Sequence, residues 1–364
     1  MKSIMVIAQT STTDKLTTEA NYRLLKTLQG IAKRPLLLAI GFKPEPHRVV
    51  EGAMTAEIPS NTFKVAKFVL KMHHDIFLFW YGGHRIMVLP ILLLKLLRRQ
   101  AKIIIRIDGT GSAVHRGNGK WLLSFIHSCM EWIIFSCADI IACQYKELAV
   151  DCRLRRYNHK LQLANQYVDT EVFSSKVDWK DRYYDLAYCG RFDNNKGIME
   201  FLSAVDHLQN EMGMELKVVV AGDGGLFRDV GDYVAKHNLP VDFVGRQPIE
   251  VIAGIMSNSR FLVIPSHMEG VPKVAIEAMA CGCIPIASHA GGLKYLVRHW
   301  CTGFTIQKIT TDGIANAILA ALRCPIGRIQ EILVKYQGII IDYSFDTIQR
   351  RYQQMIGFST NVVV

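Results

Sequence analysis

The sequence predicts an α/β protein of two doubly wound, Rossmann-like parallel-sheet domains that face each other across a cleft. Short apolar runs that read as buried strands alternate with amphipathic helical stretches along the chain, the pattern of parallel sheets covered by helices on both faces. At 364 residues the chain is too long for one average domain and fits two of roughly 150–200 residues each. Hydrophobic residues make up 50% of it, enough for each domain to build its own core.

The elements follow in order. Residues 3–8, 35–40, 75–81, 102–107 and 139–143 are apolar runs of strand length. The first of these lacks the long apolar core and cleavage site of a signal peptide and reads as the opening strand. Between them, 17–29, 86–99 and 120–135 carry apolar residues at helical spacing. The run 86–97 is too short to span a bilayer and is broken by Lys95. Residues 1–167 thus form a first domain. The polar stretch 168–182 reads as a connector, 183–341 repeats the alternation as a second domain, and 342–364 ends the chain in a helix over 344–355.

Charge and cysteine usage narrow the partners. The chain has 43 basic and 32 acidic residues, a net charge of +11 that favours an anionic partner. Lys64, Lys67 and Lys71 share one face of a helix over 61–72, with Phe63, Ala66, Val69 and Leu70 on the other. That is the pattern of a basic amphipathic helix lying on anionic lipid. Lys95, Arg98, Arg99 and Lys102 form a second basic cluster, so peripheral membrane contact is expected through 61–72 and 86–102. No aromatic–basic stacking array or recognition motif points to nucleic acid. The nine cysteines form no C-x-x-C pair and read as buried thiols of a reducing, cytoplasmic compartment.

The chemistry concentrates in the second domain. Residues 261–264 read as a buried strand and 274–281 as a helix, with Pro272 suited to a first helical position. Glu269 falls in the loop between them and Glu277 about a turn and a half into the helix. A carboxylate at a crevice lip and a second close behind it suit a polyhydroxylated ligand, and helix-start N–H groups suit its phosphates. Glu269 alone is equally an ordinary first-turn acid. Glu277, among Val274, Ile276, Ala278, Met279 and Ala280, needs a polar partner because a buried lone carboxylate is costly. Arg191 and Lys196 lie in a glycine-flanked loop after the strand 185–189, where two cations can neutralise a diphosphate without a metal. Gly222-Asp223-Gly224 reads as a strand-to-helix turn that frames the same site. Asp108 ends the strand 102–107 and points toward the expected cleft, with His115 in the following loop as its rival.

Together these strings resemble the retaining nucleotide-sugar glycosyltransferases of the GT-B fold (glycosyl transferases group 1, family four). Glu269 to Glu277 matches the E-x7-E signature, and the small-residue tail 278–287 continues it. Gly190 to Gly197 resembles the G-R-x4-K-G loop, and Val241 to Arg246 the short strand whose end borders the nucleotide base. Asn165 to Asp169 with Phe173 resembles the hinge segment, although Gln166 replaces a usual glycine. The match covers nearly all of 160–305 and is weaker before that; the loop 8–15 lacks the family's glycines.

The resemblance implies sugar transfer, with retention at the anomeric carbon, from a nucleotide-diphosphate-sugar to a hydroxyl of a glycan or lipid-linked acceptor, in cell-surface polysaccharide or glycolipid synthesis. Arg191 and Lys196 would hold the diphosphate, Glu277 the ribose and Glu269 the donor sugar. Backbone N–H groups at Gly270 and Val271 would assist, and Gly222, Gly245 and Arg246 would line the nucleotide. The first domain would bring the acceptor and a polar residue, Asp108 or His115, and the last helix would cross back onto that domain. No metal or other cofactor is expected. A nucleotide-sugar epimerase, a glycogen-synthase-like enzyme and an inactive membrane-docking relative are the alternatives.

Overall fold

A computed structural model of the protein describes residues 2–9, 23–40, 54–58, 60–83, 85–117, 119–270 and 273–357. The chain divides into two compact units, Met1–Tyr167 with Phe345–Val364, and Val168–Ser344. Each is built on one sheet whose strand pairs are all parallel, as the alternation of elements predicted.

The first unit has seven strands: β1 (Ser3–Gln9), β2 (Lys33–Ile40), β3 (Met54–Ile58), β4 (Ile76–Tyr81), β5 (Lys102–Ile107), β6 (Ile140–Cys143) and β7 (Leu161–Leu163). Their order is β3-β2-β1-β4-β5-β6-β7. Strands β4 and β5 are Ile/Phe/Leu runs buried on both faces, as a parallel sheet between helical layers requires. Helices α1 (Thr62–Lys71), α2 (Val88–Leu97), α3 (Gly111–Gly117) and α4 (Trp121–Cys137) fill the crossovers from β3 to β6. Asn61 caps α1, its side chain accepting from the backbone N–H groups of Phe63 and Lys64 at 3.0 Å each.

Two membrane expectations change here. The apolar side of α1 is not available to lipid, because Val65, Ala66 and Val69 are buried in the fold; only its lysines and Phe63 face out. The second basic cluster is largely used by the protein. Lys95 pairs with Asp139 at 2.6 Å, Arg98 donates to the carbonyls of Leu70 and Met72, and Lys102 donates to Met355 O, which leaves Arg99 exposed. Helical spacing reveals which side chains share a face, not which face the core takes.

The C-terminal helix belongs to this first unit. Its Ile348, Tyr352, Met355 and Ile356 join Leu24, Leu25 and Leu28 of the helical segment 23–28 in one core. Arg351 donates to Asn165 at 3.0 Å, and Gln349 to the carbonyls of Thr27 and Gln29. Arg106, fully buried inside β5, stacks on Trp80 at 4.3 Å and donates to the Tyr352 hydroxyl.

The second unit carries β8 (Tyr184–Arg191), β9 (Val218–Asp223), β10 (Val241–Gly245), β11 (Ser259–Ile264), β12 (Ile284–Ser288) and β13 (Phe304–Ile306), in the order β10-β9-β8-β11-β12-β13. The stretch 168–182, expected as a connector, groups with this unit. Val168 and Phe173 are buried in its core. Arg182 is 4% exposed and donates to the carbonyls of Ser259 and Cys281 and to Ser175 Oγ. A polar composition concealed an anchored segment, because one guanidinium can satisfy several orphan carbonyls at once.

Among the nine cysteines, Cys143, Cys152, Cys189, Cys281 and Cys283 are buried, Cys129 is exposed and the rest are intermediate, all as free thiols. Burial pushes the Cys143 thiol up to about 12, so it stays protonated at neutral pH.

Candidate active site

The carboxyl ends of β8 and β11 lie side by side where the second sheet changes direction. From β8 the chain winds outward through β9 to β10, and β11 then takes the other side of β8. Loops that leave two neighbouring strands in opposite directions open a crevice, the usual ligand position of such sheets. Lys196 leaves β8 through the short turn Asn194–Lys196, and Glu269 follows β11. Lys196 Nζ lies 2.7 Å from Glu269 Oε1, with the two side chains 19% and 11% exposed. Ser266 Oγ donates to the same oxygen at 2.7 Å. The cation and the acid, separate in sequence, thus meet at the switch point.

Glycines make that meeting possible. Gly197 has φ +66°, and a Cβ there would stand 2.2 Å from Pro265 O. At Gly291, in the loop after β12, a Cβ would stand 1.9 Å from Glu269 O. Backbone bonds lace the three loops: His267 N donates to Asn195 O and Gly292 N to Gly270 O, each at 2.9 Å. Tyr188 closes the base of the β8 loop by donating its hydroxyl to Arg191 O at 2.9 Å. Burial first, then the Glu269 charge, hold that phenol above its ordinary range, so it remains a donor.

The other expected residues lie along the same edge. Arg191 ends β8, 42% exposed and 3.1 Å from Asp193. Glu277 is half-buried on α5 (Lys273–Ala280). It lies near β8, since the Cys189 thiol, pushed up to about 12 by burial, also feels the Glu277 charge. Gly222 is framework: a Cβ there would meet Gly190 O at 1.9 Å, so only glycine lets β8 and β9 end so close together. Gly245 has φ +64° beside the Phe227 ring, and Arg246 is exposed just beyond β10. From β10 to β11 the edge spans three strand spacings of about 4.8 Å. Gly270 sits in the laced loop, whereas Val271 lies outside the described residues.

Asp108 and His115 belong to the first unit. Asp108 ends β5 with its carboxylate engaged by Trp80 Nε1 at 2.9 Å and by Gln144 Nε2. His115 lies against the buried His127, ring centroids 4.6 Å apart and the rings tilted by 55°.

Several neighbours escaped the sequence reading. His267 Nε2 lies 3.0 Å from Glu200 Oε1. Ser288 Oγ donates to Ser266 O at 2.5 Å. A pocket of about 370 Å³ opens at the ends of β11, β12 and β13, lined by Ser266, His267, Ser288, His289, Ile306 and Gln307. The run His289-Ala-Gly-Gly292 after a strand was the available signal, being the kind of small-residue turn that lets backbones approach.

The protein is thus built of two parallel-sheet units, the second with a cation–acid pair at its switch point. A family model described as Glycosyl transferases group 1 matches residues 169–337, within this second unit. It is 33% identical over 114 residues to the Campylobacter jejuni GalNAc-alpha-(1->4)-GalNAc-alpha-(1->3)-diNAcBac-PP-undecaprenol alpha-1,4-N-acetyl-D-galactosaminyltransferase, covering 31% of each chain. It is 24% identical over 244 residues to the Escherichia coli UDP-Gal:alpha-D-GlcNAc-diphosphoundecaprenol alpha-1,3-galactosyltransferase, covering 60% of this chain and 62% of that one. The chain spans less than two thirds of the length of these curated relatives. The crystal structure of Anabaena HepE in complex with UDP superposes with a TM-score of 0.77 at 15% identity, covering 97% of this chain and 99% of that one. The fold is GT-B.

Proposed function

We propose that the protein is a retaining glycosyltransferase that moves a sugar from a nucleotide-diphosphate donor to a hydroxyl of a lipid-linked glycan acceptor. The Lys196–Glu269 pair at the switch point carries this reading. Lys196 and Arg191 supply positive charge where a leaving diphosphate develops negative charge, so neutralisation comes from the chain rather than from a metal. Glu269, fixed by Ser266 and by the backbone around Gly291, orients the donor-sugar hydroxyls. Glu277 takes the ribose hydroxyls, and the edge from Gly222 to Arg246 borders the nucleotide. Asp108 and His115 are the candidates for contact with the acceptor or the reacting sugar.

Both curated relatives above are named for undecaprenyl-diphosphate-linked acceptors, which supports the lipid-linked class. Polysaccharide or glycolipid assembly, on the cytoplasmic face of a membrane, is the setting that follows. Among the described residues no helix is long and apolar enough to cross one.

Incubating labelled nucleotide-sugars with undecaprenyl-diphosphate-linked saccharides tests the proposal. A glycosidic product with the donor's anomeric configuration, read by proton NMR coupling, is expected. Free epimerised nucleotide-sugar, or extension of a soluble α-glucan only, would contradict it.

A further inference from the structure

Helix α4 wears its amphipathicity inside out. Ser124, His127 and Glu131 face inward beside Ile134 and Phe135, whereas Trp121, Leu122, Phe125, Ile126 and Trp132 face out. Trp121, Leu122 and Phe125 are 69%, 74% and 68% exposed. At 100° per residue the five outward residues fall within an arc of about 140°, opposite the buried polar set. Hydrogen bonds fix this orientation. Glu131 accepts from Ser112 N at 2.9 Å and from Ser112 Oγ, and Ser124 Oγ donates to Ser112 O at 2.8 Å. Turning α4 over would strip these bonds from buried polar groups, so the apolar exposure belongs to the fold.

The patch extends beyond one helix. Helix α1 packs on α2, and α2 on α4. Phe63, Leu96 and Leu97 are exposed on the first two, and Val114 on α3 beside α4. Large exposed apolar side chains gathered on neighbouring helices of one unit are the mark of a docking face. The charge that these helices and their caps carry outward is positive: Lys64, Lys67, Lys71, Arg99 and Lys120 are exposed, while the exposed Asp139 beyond α4 is paired with Lys95. The acids between residues 60 and 137 are Asp75, Asp108 and Glu131. Asp75 accepts from Ser3 before β4, Asp108 is held at the end of β5 and Glu131 is buried. None lies on the outer face of α1, α2 or α4.

We propose that this face is a monotopic docking surface for an anionic phospholipid bilayer. The aromatic and aliphatic residues of α4 sit at the boundary between headgroups and acyl chains, where tryptophan is favoured, and the α1 lysines meet the anionic headgroups. At about 1.5 Å per residue α4 is roughly 25 Å long and lies in the interface plane. Its most apolar end follows α3, the short helix that leaves the carboxyl edge of β5, so the bilayer meets the unit at the edge that carries Asp108. The role of this surface rests on the lipid-linked reading of the acceptor.

The test uses the full chain and extruded vesicles of phosphatidylglycerol with phosphatidylcholine, or of phosphatidylcholine alone, read by co-sedimentation at low and high salt. Wild type is expected to bind the anionic vesicles. Affinity should fall at least tenfold in a Trp121→Gln/Phe125→Gln/Trp132→Gln variant and several-fold in Lys64→Glu/Lys67→Glu/Lys71→Glu. Bromine-labelled acyl chains should quench wild-type tryptophan fluorescence, a readout that does not depend on how the variants fold. No binding by wild type, no quenching, or equal binding by the aromatic variant overturns the proposal. So does wild-type dimerisation in vesicle-free buffer that the aromatic variant abolishes, which makes the face an interface between copies. Calorimetric donor binding without vesicles separates the two readings. It is expected unchanged in both variants, and its absence from wild type would count against the transferase while leaving vesicle binding intact.

Discussion

Lys196 has two partners in this account, Glu269 in the structure and a diphosphate when the donor binds, and the geometry suits both because one amine reaches the crevice from its lip. Lys196→Ala is expected to cost about 2–4 kcal/mol of transition-state stabilisation, measured as kcat/KM. Activity within a few-fold of wild type would remove Lys196 from the mechanism. Gly291 acts at one remove. A methyl group there would strike Glu269 O, so Gly291→Ala should lower kcat at least tenfold by displacing the carboxylate, with circular dichroism unchanged. Wild-type kcat in that variant would show that the Glu269 loop is not held from behind. The difference between the two residues explains what the sequence discloses. Lys196 and Glu269 stand in strings whose chemistry is local, whereas Gly291 matters through a contact with a loop over twenty residues away.

Elements were legible where their apolar runs were long. β1, β4, β5 and β6 were readable as strands, while β3 and β7 were not, because Met54–Ile58 mixes polar residues and Leu161–Leu163 is three residues long. Periodicity located α1 and α4 but not their inward faces, since α4 buries polar groups to serve a neighbouring helix. Glu131 is the centre of that service. Glu131→Ala leaves the buried Ser112 N–H and hydroxyl without their acceptor and should destabilise the protein by about 1–3 kcal/mol in urea unfolding. Glu131→Gln should recover most of that, because burial already holds the carboxyl above its usual range toward the neutral form. Equal stability of Glu131→Ala and wild type would contradict the assignment.

For the whole molecule, pH bears on stability through histidines that lose hydration on folding. Burial lowers His74, His127 and His299 below the ordinary value of 6.5. The native state therefore binds fewer protons than the unfolded chain below that value, and stability rises with pH through the window ending near 6.5. Glu131 works the other way, losing stability as pH rises from the ordinary 4.5. Calorimetric melting should give a lower Tm at pH 5.5 than at pH 7.5, with a smaller difference in His127→Gln. An equal Tm at the two values would refute it. The central claim, that Lys196 and Glu269 together build the donor site, is tested most directly by titrating nucleoside diphosphates, UDP first, into wild type and Lys196→Ala by calorimetry. One of them should bind wild type and bind Lys196→Ala at least tenfold more weakly; no binding by any of them, or equal affinity for both proteins, would contradict it.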